Sequence, residues 1–409
     1  MKEMKDSDKT SPPEVKLSKR AKDMPYSPIR KLASFANEAK KKGVEVFHLN
    51  IGQPDIETPV EIFEAIAKYR EKVLRYGPSG GLLDLRLAVV KYHRNLGFDI
   101  DLDNVWITTG GSEAIIFAMM SVSDPGDEII VFEPFYTNYN GFAVMSQVKL
   151  VPITTKVENG FHLPSLKTIE KKITSHTRAI LINTPNNPTG TVLSEEEMFI
   201  INKLCKKYGL FLLSDEVYRE FVYDGKKQIS ALSLPEVEDR VIVMDSISKR
   251  FSACGARVGS VISRNKKIMD TILKFGQARL CPPTLEQVGA TAAYNNIDKY
   301  IKPMIDEYQY RRDVLFELLK NIPGVYGHKP EGAFYTVLRL PVANADKFCQ
   351  WLLTDFNHKN KTVMLAPANG FYSSPEKGIN EIRIAYVLKE KDLRKAIEVL
   401  KVALKMYEE

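Results

Sequence analysis

Four short polar segments of this 409-residue chain carry side chains suited to chemistry, and each follows a short apolar run. The first is Gly110-Gly111-Ser112-Glu113, after residues 105–109. Two glycines allow a tight turn and close approach of backbone to a ligand. Ser112 opens an apolar helix whose free N–H groups and dipole suit a phosphate, although the same residues also make an ordinary turn with a serine cap. The second is Thr184-Pro185-Asn186-Asn187-Pro188-Thr189-Gly190, after residues 180–183. Its prolines fix φ and stiffen the loop, which aims the Asn187 amide at a ligand or merely shapes a surface turn. The third is Asp215-Glu216-Val217-Tyr218, after residues 210–214. A carboxylate closing a buried run either caps a helix or needs a cationic partner, such as a protonated pyridine nitrogen. The fourth is Ser246-Ile247-Ser248-Lys249, after residues 241–245, with Arg257 eight residues beyond the lysine. A lysine in a pocket can lose its proton and attack a carbonyl carbon. Ser246 and Arg257 are natural phosphate ligands.

The runs that precede these segments belong to a set of seven, at residues 105–109, 128–132, 149–153, 179–183, 210–214, 241–245 and 260–263. Most are continuously apolar, which fits strands buried on both faces of a mostly parallel seven-stranded sheet with helices on both sides. The fold class is therefore α/β. The polar segments then fall at carboxyl ends of strands, where open α/β sheets bind ligands. After about residue 295 the texture changes. A charged helix at 302–321, strands at 333–339 and 381–387 and a helix at 390–407 predict a smaller α+β domain. Residues 1–22 are polar and lysine-rich and read as a disordered, flexible arm. A helix is expected at 28–42, ended by Gly43. The expected division is an arm at 1–22, a segment at 23–50 joining the small domain, a large ligand-binding domain at 51–295 and the small domain at 296–409.

Composition narrows the function classes. At 44% hydrophobic the chain is an ordinary globular protein with a sizeable core. Its longest apolar candidate, residues 114–122, is far too short to cross a bilayer, so no membrane association is expected. The charged N-terminus lacks the apolar stretch of a secretory signal. Cys205, Cys254, Cys281 and Cys349 do not fall at metal-ligand spacing, and the histidines are scattered, so no metal is expected. A chain of this length needs no disulfides, which points to reduced thiols in the cytoplasm. The net charge of +7 includes a surplus of three in residues 1–22, without interleaved aromatics. That argues for anionic small molecules rather than nucleic acid.

Taken together and in order, Asn187-Pro188-Thr189-Gly190, Asp215-x-x-Tyr218 and Ser246-x-Ser248-Lys249 with Arg257 resemble the fold-type-I, class I/II aminotransferases, the group that includes aspartate aminotransferase. Further matches are Asn50-Ile51-Gly52-Gln53-Pro54-Asp55, Tyr76-Gly77-Pro78-Ser79-Gly80-Gly81, Glu133-Pro134-Phe135-Tyr136, Gly332-Ala333-Phe334-Tyr335 and Arg383-Ile384-Ala385-Tyr386. The resemblance runs from about Pro25 to the C-terminus. It implies a mixed, mostly parallel sheet and pyridoxal 5'-phosphate as cofactor, held by Lys249 as a Schiff base. It implies that Lys249 also shuttles the substrate proton and that Asp215 keeps the pyridine nitrogen protonated, which strengthens the electron sink. Tyr218 and Asn187 bond the ring oxygen, and Tyr136 stacks on the ring. Gly111, Ser112, Glu113 (through backbone), Ser246, Ser248 and Arg257 surround the phosphate. Tyr76 reaches the phosphate of the neighbouring subunit, which implies a homodimer with shared sites. Arg383 binds the substrate α-carboxylate, assisted by Gly52 and Asn187.

The implied reaction is transamination between an α-amino acid and a 2-oxo acid such as 2-oxoglutarate. The alternative on the same scaffold is a C–S β-lyase or a cyclopropane-carboxylate-type synthase. A DNA-binding regulator would need a separate domain, which residues 1–22 are too short and polar to supply. One departure concerns specificity. Prokaryotic aspartate-type members often carry a lysine beside a Pro-Ser pair before the first helix. Here the segment reads Met24-Pro25-Tyr26-Ser27-Pro28-Ile29-Arg30, with Pro25 at that place. Arg30 is either the substitute cation or a solvated charge at a helix start.

Overall fold

A computed structural model describes residues 15–407. Its strands are β1 (Glu45–His48), β2 (Val105–Thr108), β3 (Glu128–Glu133), β4 (Lys149–Thr154), β5 (Thr177–Asn183), β6 (Phe211–Asp215), β7 (Val241–Ser246), β8 (Gly259–Ile262), β9 (Tyr335–Arg339), β10 (Lys361–Met364), β11 (Ala366–Pro367) and β12 (Glu381–Ala385). β2 to β8 form one seven-stranded sheet in the order β2-β8-β7-β6-β5-β3-β4. Only β8 runs against its neighbours. All seven apolar runs are strands, each within two residues of its expected limits.

Adjacent residues of a strand face opposite sides of the sheet, and both sides are buried here. Ile130, Ile180, Leu212 and Val243 enter one core, while Ile129, Val131, Leu181, Leu213, Ile242 and Met244 enter the other. Two-sided burial removes the alternating pattern of a half-exposed strand, which is why these runs read as continuously apolar.

The strand order places the chemistry. β5, β6 and β7 are parallel neighbours, so Asn183, Asp215 and Ser246 end side by side. β8 returns antiparallel, with Gly259 opposite both Ser246 and Thr108. Arg257, two residues before Gly259, is thereby delivered to the start of the helix Gly110–Val122.

The second unit is an antiparallel sheet, β11-β12-β9, covered by the helices Asp298–Leu319, Ala345–Thr354 and Glu390–Met406. Its separate pair is β1 with β10, parallel, so the N-terminal segment enters this unit. Two expectations for that segment need correction. The expected helix at 28–42 is confined to Ala33–Lys41, because residues 28–32 form successive turns, with Arg30 N–H bonded to Ser27 and Ala33 N–H to Arg30. Tertiary contacts shape them: Asn50 Nδ2 donates to the Ile29 carbonyl, and Pro28 packs against Gly370. The expected disordered arm contains a short helix, Lys19–Asp23, whose first turn is capped by Ser18. The remainder of that expectation, residues 1–14, lies outside the described residues. No described helix is long and apolar enough to cross a membrane.

His162 pins the two units together. Its Nδ1 lies 2.9 Å from Glu197 of the large unit, and its Nε2 lies 3.8 Å from Glu331, just before β9. Lys226 also pairs with Glu331. Hydrogen bonds to Glu197 and then Glu331 raise His162 to about 9 from its ordinary 6.5. Protonation therefore favours the folded contact. Its contribution is complete below about pH 6.5 and is lost as pH rises through about 9. His162→Gln is expected to flatten the dependence of the denaturation midpoint on pH across that window, and an unchanged dependence would refute the contact's role.

Candidate active site

A cavity of about 440 Å³ opens at the carboxyl ends of β5, β6 and β7, beneath the N-terminal segment and β9 and β12. Asp215, Tyr218, Lys249, Ser246, Ser248, Arg257, Gly111, Ser112, Asn187, Tyr136, Gly52 and Arg383 all line it. Residues from positions 52 to 383 thus converge on one space of the size that holds a cofactor and a small substrate.

Asp215 ends β6 and is 5% exposed. Its Oδ2 accepts from Tyr139 Oη at 2.6 Å and its Oδ1 from the Val217 N–H at 3.3 Å, and among the described residues it makes no ion pair. Burial pushes its carboxyl up to about 6. A buried carboxylate in this state is stabilised by a cation that arrives with the ligand.

Lys249 lies on the short helix Ile247–Arg250, whose first turn is capped by Ser246. Its Nζ donates to the Gly52 carbonyl at 2.8 Å and lies 3.6 Å from Cys254 Sγ. Ser246 and Ser248 share a hydroxyl contact of 2.8 Å. Arg257 has a left-handed φ of +52° and donates to the Cys254 carbonyl at 3.0 Å. Gly110 makes room for it: a Cβ there would fall 2.3 Å from Arg257 Nη2, and the Gly110 φ of +74° would strain any other residue. Helix-start amides, two hydroxyls and a guanidinium therefore face one corner, a donor set that fits a phosphate. The Glu113 side chain turns away, accepting from the Thr109 N–H at 2.8 Å and from Arg279 at 3.1 Å.

Arg383 sits on β12, 1% exposed. Nη1 donates to Asn187 Oδ1 at 3.0 Å and Nη2 to the Asn50 carbonyl, while Nε has no partner among the described residues. Its guanidinium carbon lies 4.5 Å from the centre of the Tyr335 ring and 4.8 Å from that of Phe371. Burial lowers its proton affinity, and no carboxylate of the described residues pairs with it. An anionic ligand would supply what is missing.

Tyr136 lines the cavity, and its Oη accepts from Asn138 Nδ2 at 2.8 Å. Burial pushes its phenol up to about 12. Tyr76 does not line this chain's cavity; it is 81% exposed. Arg30 lines it as well while remaining exposed to solvent, so it stands at the cavity without being buried in it.

Sequence reasoning missed several participants. Tyr139 lies three residues after Tyr136, and that spacing is the only signal that could have linked it to Asp215. Tyr335 belongs to a quoted motif but carried no role, although its Oη lies 2.9 Å from Tyr218 Oη. Cys254 and Asn138 also line the cavity without any local pattern, and Gln53 and Ser27 lie in quoted segments that gave them no role. Beneath it, Arg250 binds Glu220 at 2.8 Å, Tyr294 at 2.9 Å and Asp245 at 2.8 Å, and Arg219 binds Glu216 at 2.6 Å and His93 at 3.1 Å.

The family model described as aminotransferase class I and II matches residues 44–400. The chain is 33% identical over 371 residues to an aspartate aminotransferase of Sulfurisphaera tokodaii, covering 88% of this chain and 90% of the relative. It is 32% identical over 398 residues to aromatic-amino-acid aminotransferase 2 of Thermococcus litoralis, covering 95% and 98%. Among solved structures, alanine aminotransferase from Pyrococcus furiosus superposes with a TM-score of 0.87 at 33% identity, covering 96% of this chain and all of that one.

Proposed function

The chain belongs to the class I and II aminotransferases, and from that premise we propose how its own residues divide the work. It is a pyridoxal-phosphate-dependent enzyme that moves an amino group between an α-amino acid and a 2-oxo acid. The lyase and synthase alternative is not favoured, since the named relatives are aminotransferases. The observation that carries the assignment of roles is that Lys249, Asp215 and Arg383 face one cavity, the latter two without an ion-pair partner among the described residues.

When bound, pyridoxal phosphate supplies a ring that takes up the electron pair left on the substrate Cα. Lys249 would hold it covalently through Nζ. Asp215 would pair with the ring nitrogen and keep it protonated. Tyr218 and Asn187 would donate to the ring oxygen, and Tyr136 would cover a ring face. Ser246, Ser248 and Arg257, with the backbone of Gly111, Ser112 and Glu113, would hold the phosphate. With its amine free, Lys249 Nζ would serve as the general base that takes up the substrate Cα proton. Arg383, with Asn187 and Gly52 beside it, holds the substrate α-carboxylate.

Substrate class follows from charge. Four cations line the cavity: Arg30, Lys249, Arg257 and Arg383. Three are committed to the cofactor, its phosphate and the α-carboxylate. Arg30 remains, and it suits a second carboxylate, as in aspartate, glutamate and 2-oxoglutarate. The named relatives act on aspartate, aromatic amino acids and alanine, so this assignment rests on Arg30.

A second copy of the chain would complete the site. Val60, Phe63, Val73, Leu74, Tyr76, Leu83 and Leu87 are all exposed within one stretch of sequence, side chains suited to cover by a second copy. Tyr76, within this stretch, would reach the phosphate of the neighbouring subunit. All four cysteines are free thiols, in keeping with a cytoplasmic setting.

Three outcomes test this reading. Lys249→Ala is expected to lower turnover by at least about 10³-fold and to abolish the borohydride-reducible cofactor linkage; a variant retaining either refutes the lysine's role. Arg383→Ala is expected to raise KM about 10- to 100-fold for every donor, the worth of a hydrogen-bonded charge, whereas Arg30→Ala raises it only for aspartate and glutamate. An equal effect of Arg30→Ala on alanine would remove the second-carboxylate assignment. Finally, co-expressed Lys249→Ala and Tyr76→Ala chains should be more active than either alone, because the hybrid dimer contains one intact site. Absence of that recovery, in a hybrid confirmed by mass, would refute site sharing.

A further inference from the structure

Tyr335 touches Tyr218, Gly52 and Arg383, each of which has been assigned a role, yet none has been assigned to it. It opens β9 and is 2% exposed. Its hydroxyl lies 2.9 Å from Tyr218 Oη and 3.4 Å from the Gly52 carbonyl, the same carbonyl that accepts from Lys249 Nζ at 2.8 Å. Its ring centre lies 4.5 Å from the guanidinium carbon of Arg383.

The fold determines this placement several times over. The N–H groups of Glu331 and Gly332 donate to the Gly190 carbonyl at 3.0 and 2.8 Å, and Ala333 N–H donates to the Phe221 carbonyl at 2.9 Å. Gly190 ends the Asn187 loop, and Phe221 follows Tyr218 by three residues. On the other side, β9 pairs with β12 in a register that sets Tyr335 opposite Ala385 and Val337 opposite Arg383. Gly52 completes the seat, since a Cβ there would fall 1.7 Å from the Tyr335 hydroxyl.

We propose that Tyr335 is a positioning residue serving both halves of the site, its hydroxyl acting through Tyr218 on the cofactor ring and its ring holding Arg383 for the substrate carboxylate. The inference rests on the reading that Tyr218 donates to the ring oxygen. Each phenol has one proton. When Tyr218 gives its proton to the ring oxygen, the 2.9 Å contact can be a hydrogen bond only with Tyr335 as donor. A phenol that accepts a hydrogen bond is the stronger donor, so Tyr335 strengthens Tyr218 towards a negatively charged ring oxygen. Stabilising that anion lowers the pH at which the lysine-linked cofactor gives up its proton. The aromatic face contributes separately. It flanks a guanidinium that is fully desolvated, where a cation–π contact is at its strongest.

The holoenzymes of Tyr335→Phe, Tyr335→Leu and Tyr218→Phe separate the two contributions. The readouts are the pH midpoint of the cofactor's absorbance and the split between KM and kcat. Tyr335→Phe keeps the ring and is expected to raise the midpoint by about half a unit, a threefold change in proton affinity, with amino-acid KM within twofold of the parent. Tyr335→Leu is expected to show the same rise together with a KM about five- to thirtyfold higher. A midpoint that moves in Tyr218→Phe but not in Tyr335→Phe overturns the hydroxyl's role. Equal KM values in Tyr335→Phe and Tyr335→Leu overturn the ring's. An unmoved midpoint in Tyr218→Phe overturns the reading of Tyr218 itself, and this inference with it.

Discussion

Two buried charges without ion-pair partners among the described residues, Asp215 at the end of β6 and Arg383 on β12, govern the architecture of this protein. Burying an isolated ion is costly, and a protein tolerates it only where the surroundings are rigid and a ligand of opposite charge completes the pair. Asp215 is held by Tyr139 and the Val217 amide, with burial raising its carboxyl to about 6. Arg383 is held by Asn187, the Asn50 carbonyl and two aromatic rings. A ligand that brought a cation to Asp215 or an anion to Arg383 would relieve a cost the fold already carries.

Rigidity beneath the site comes from a fully buried ionic network. Arg250 directly follows Lys249 in sequence, yet it points the other way, into Asp245, Glu220 and Tyr294. Glu220 lies five residues after Asp215, and Asp245 directly precedes Ser246. Arg250 therefore ties the turn that carries the lysine to the turn that carries the aspartate. Removing one partner of such a pair typically costs about 3–5 kcal/mol, because the remaining charge stays buried. Arg219 and Glu216 extend the network to His93, which burial holds well below its ordinary proton affinity.

The second unit is not an independent cover. Glu331, Gly332 and Ala333 are bonded to the loops that present Asn187 and Tyr218, and β1 joins the N-terminal segment to β10. Glu133, buried at the end of β3, accepts from the backbone of Ser373 and Ser374 next to the loop that brings Phe371 onto Arg383. Arg383 is thus located by the same contacts that join the two units. Geometry at Arg383 depends on the seam, and His162 with its two glutamates makes part of that seam sensitive to pH.

The sequence by itself determined the sheet and named many of the residues that line the cavity. Continuous apolar runs report strands buried on both faces, and hydrophobic burial depends on composition over a few residues, which local pattern records directly. The ordered motifs around Asn187, Asp215, Lys249 and Arg257 carried the cofactor reading, because a phosphate and a ring nitrogen demand particular groups at strand ends. Only the tertiary structure decided the rest. Residues 28–32 leave the helix that Pro28 and Gly43 suggest, since Asn50 and Gly370 hold them as turns. Arg30 lines the cavity while exposed to solvent, a placement that no local pattern reports. Tyr139 and Tyr335 meet Asp215 and Tyr218 across separations of 76 and 117 residues. A hydrogen bond between residues so far apart depends on strand order and register, which a single chain's local pattern does not encode.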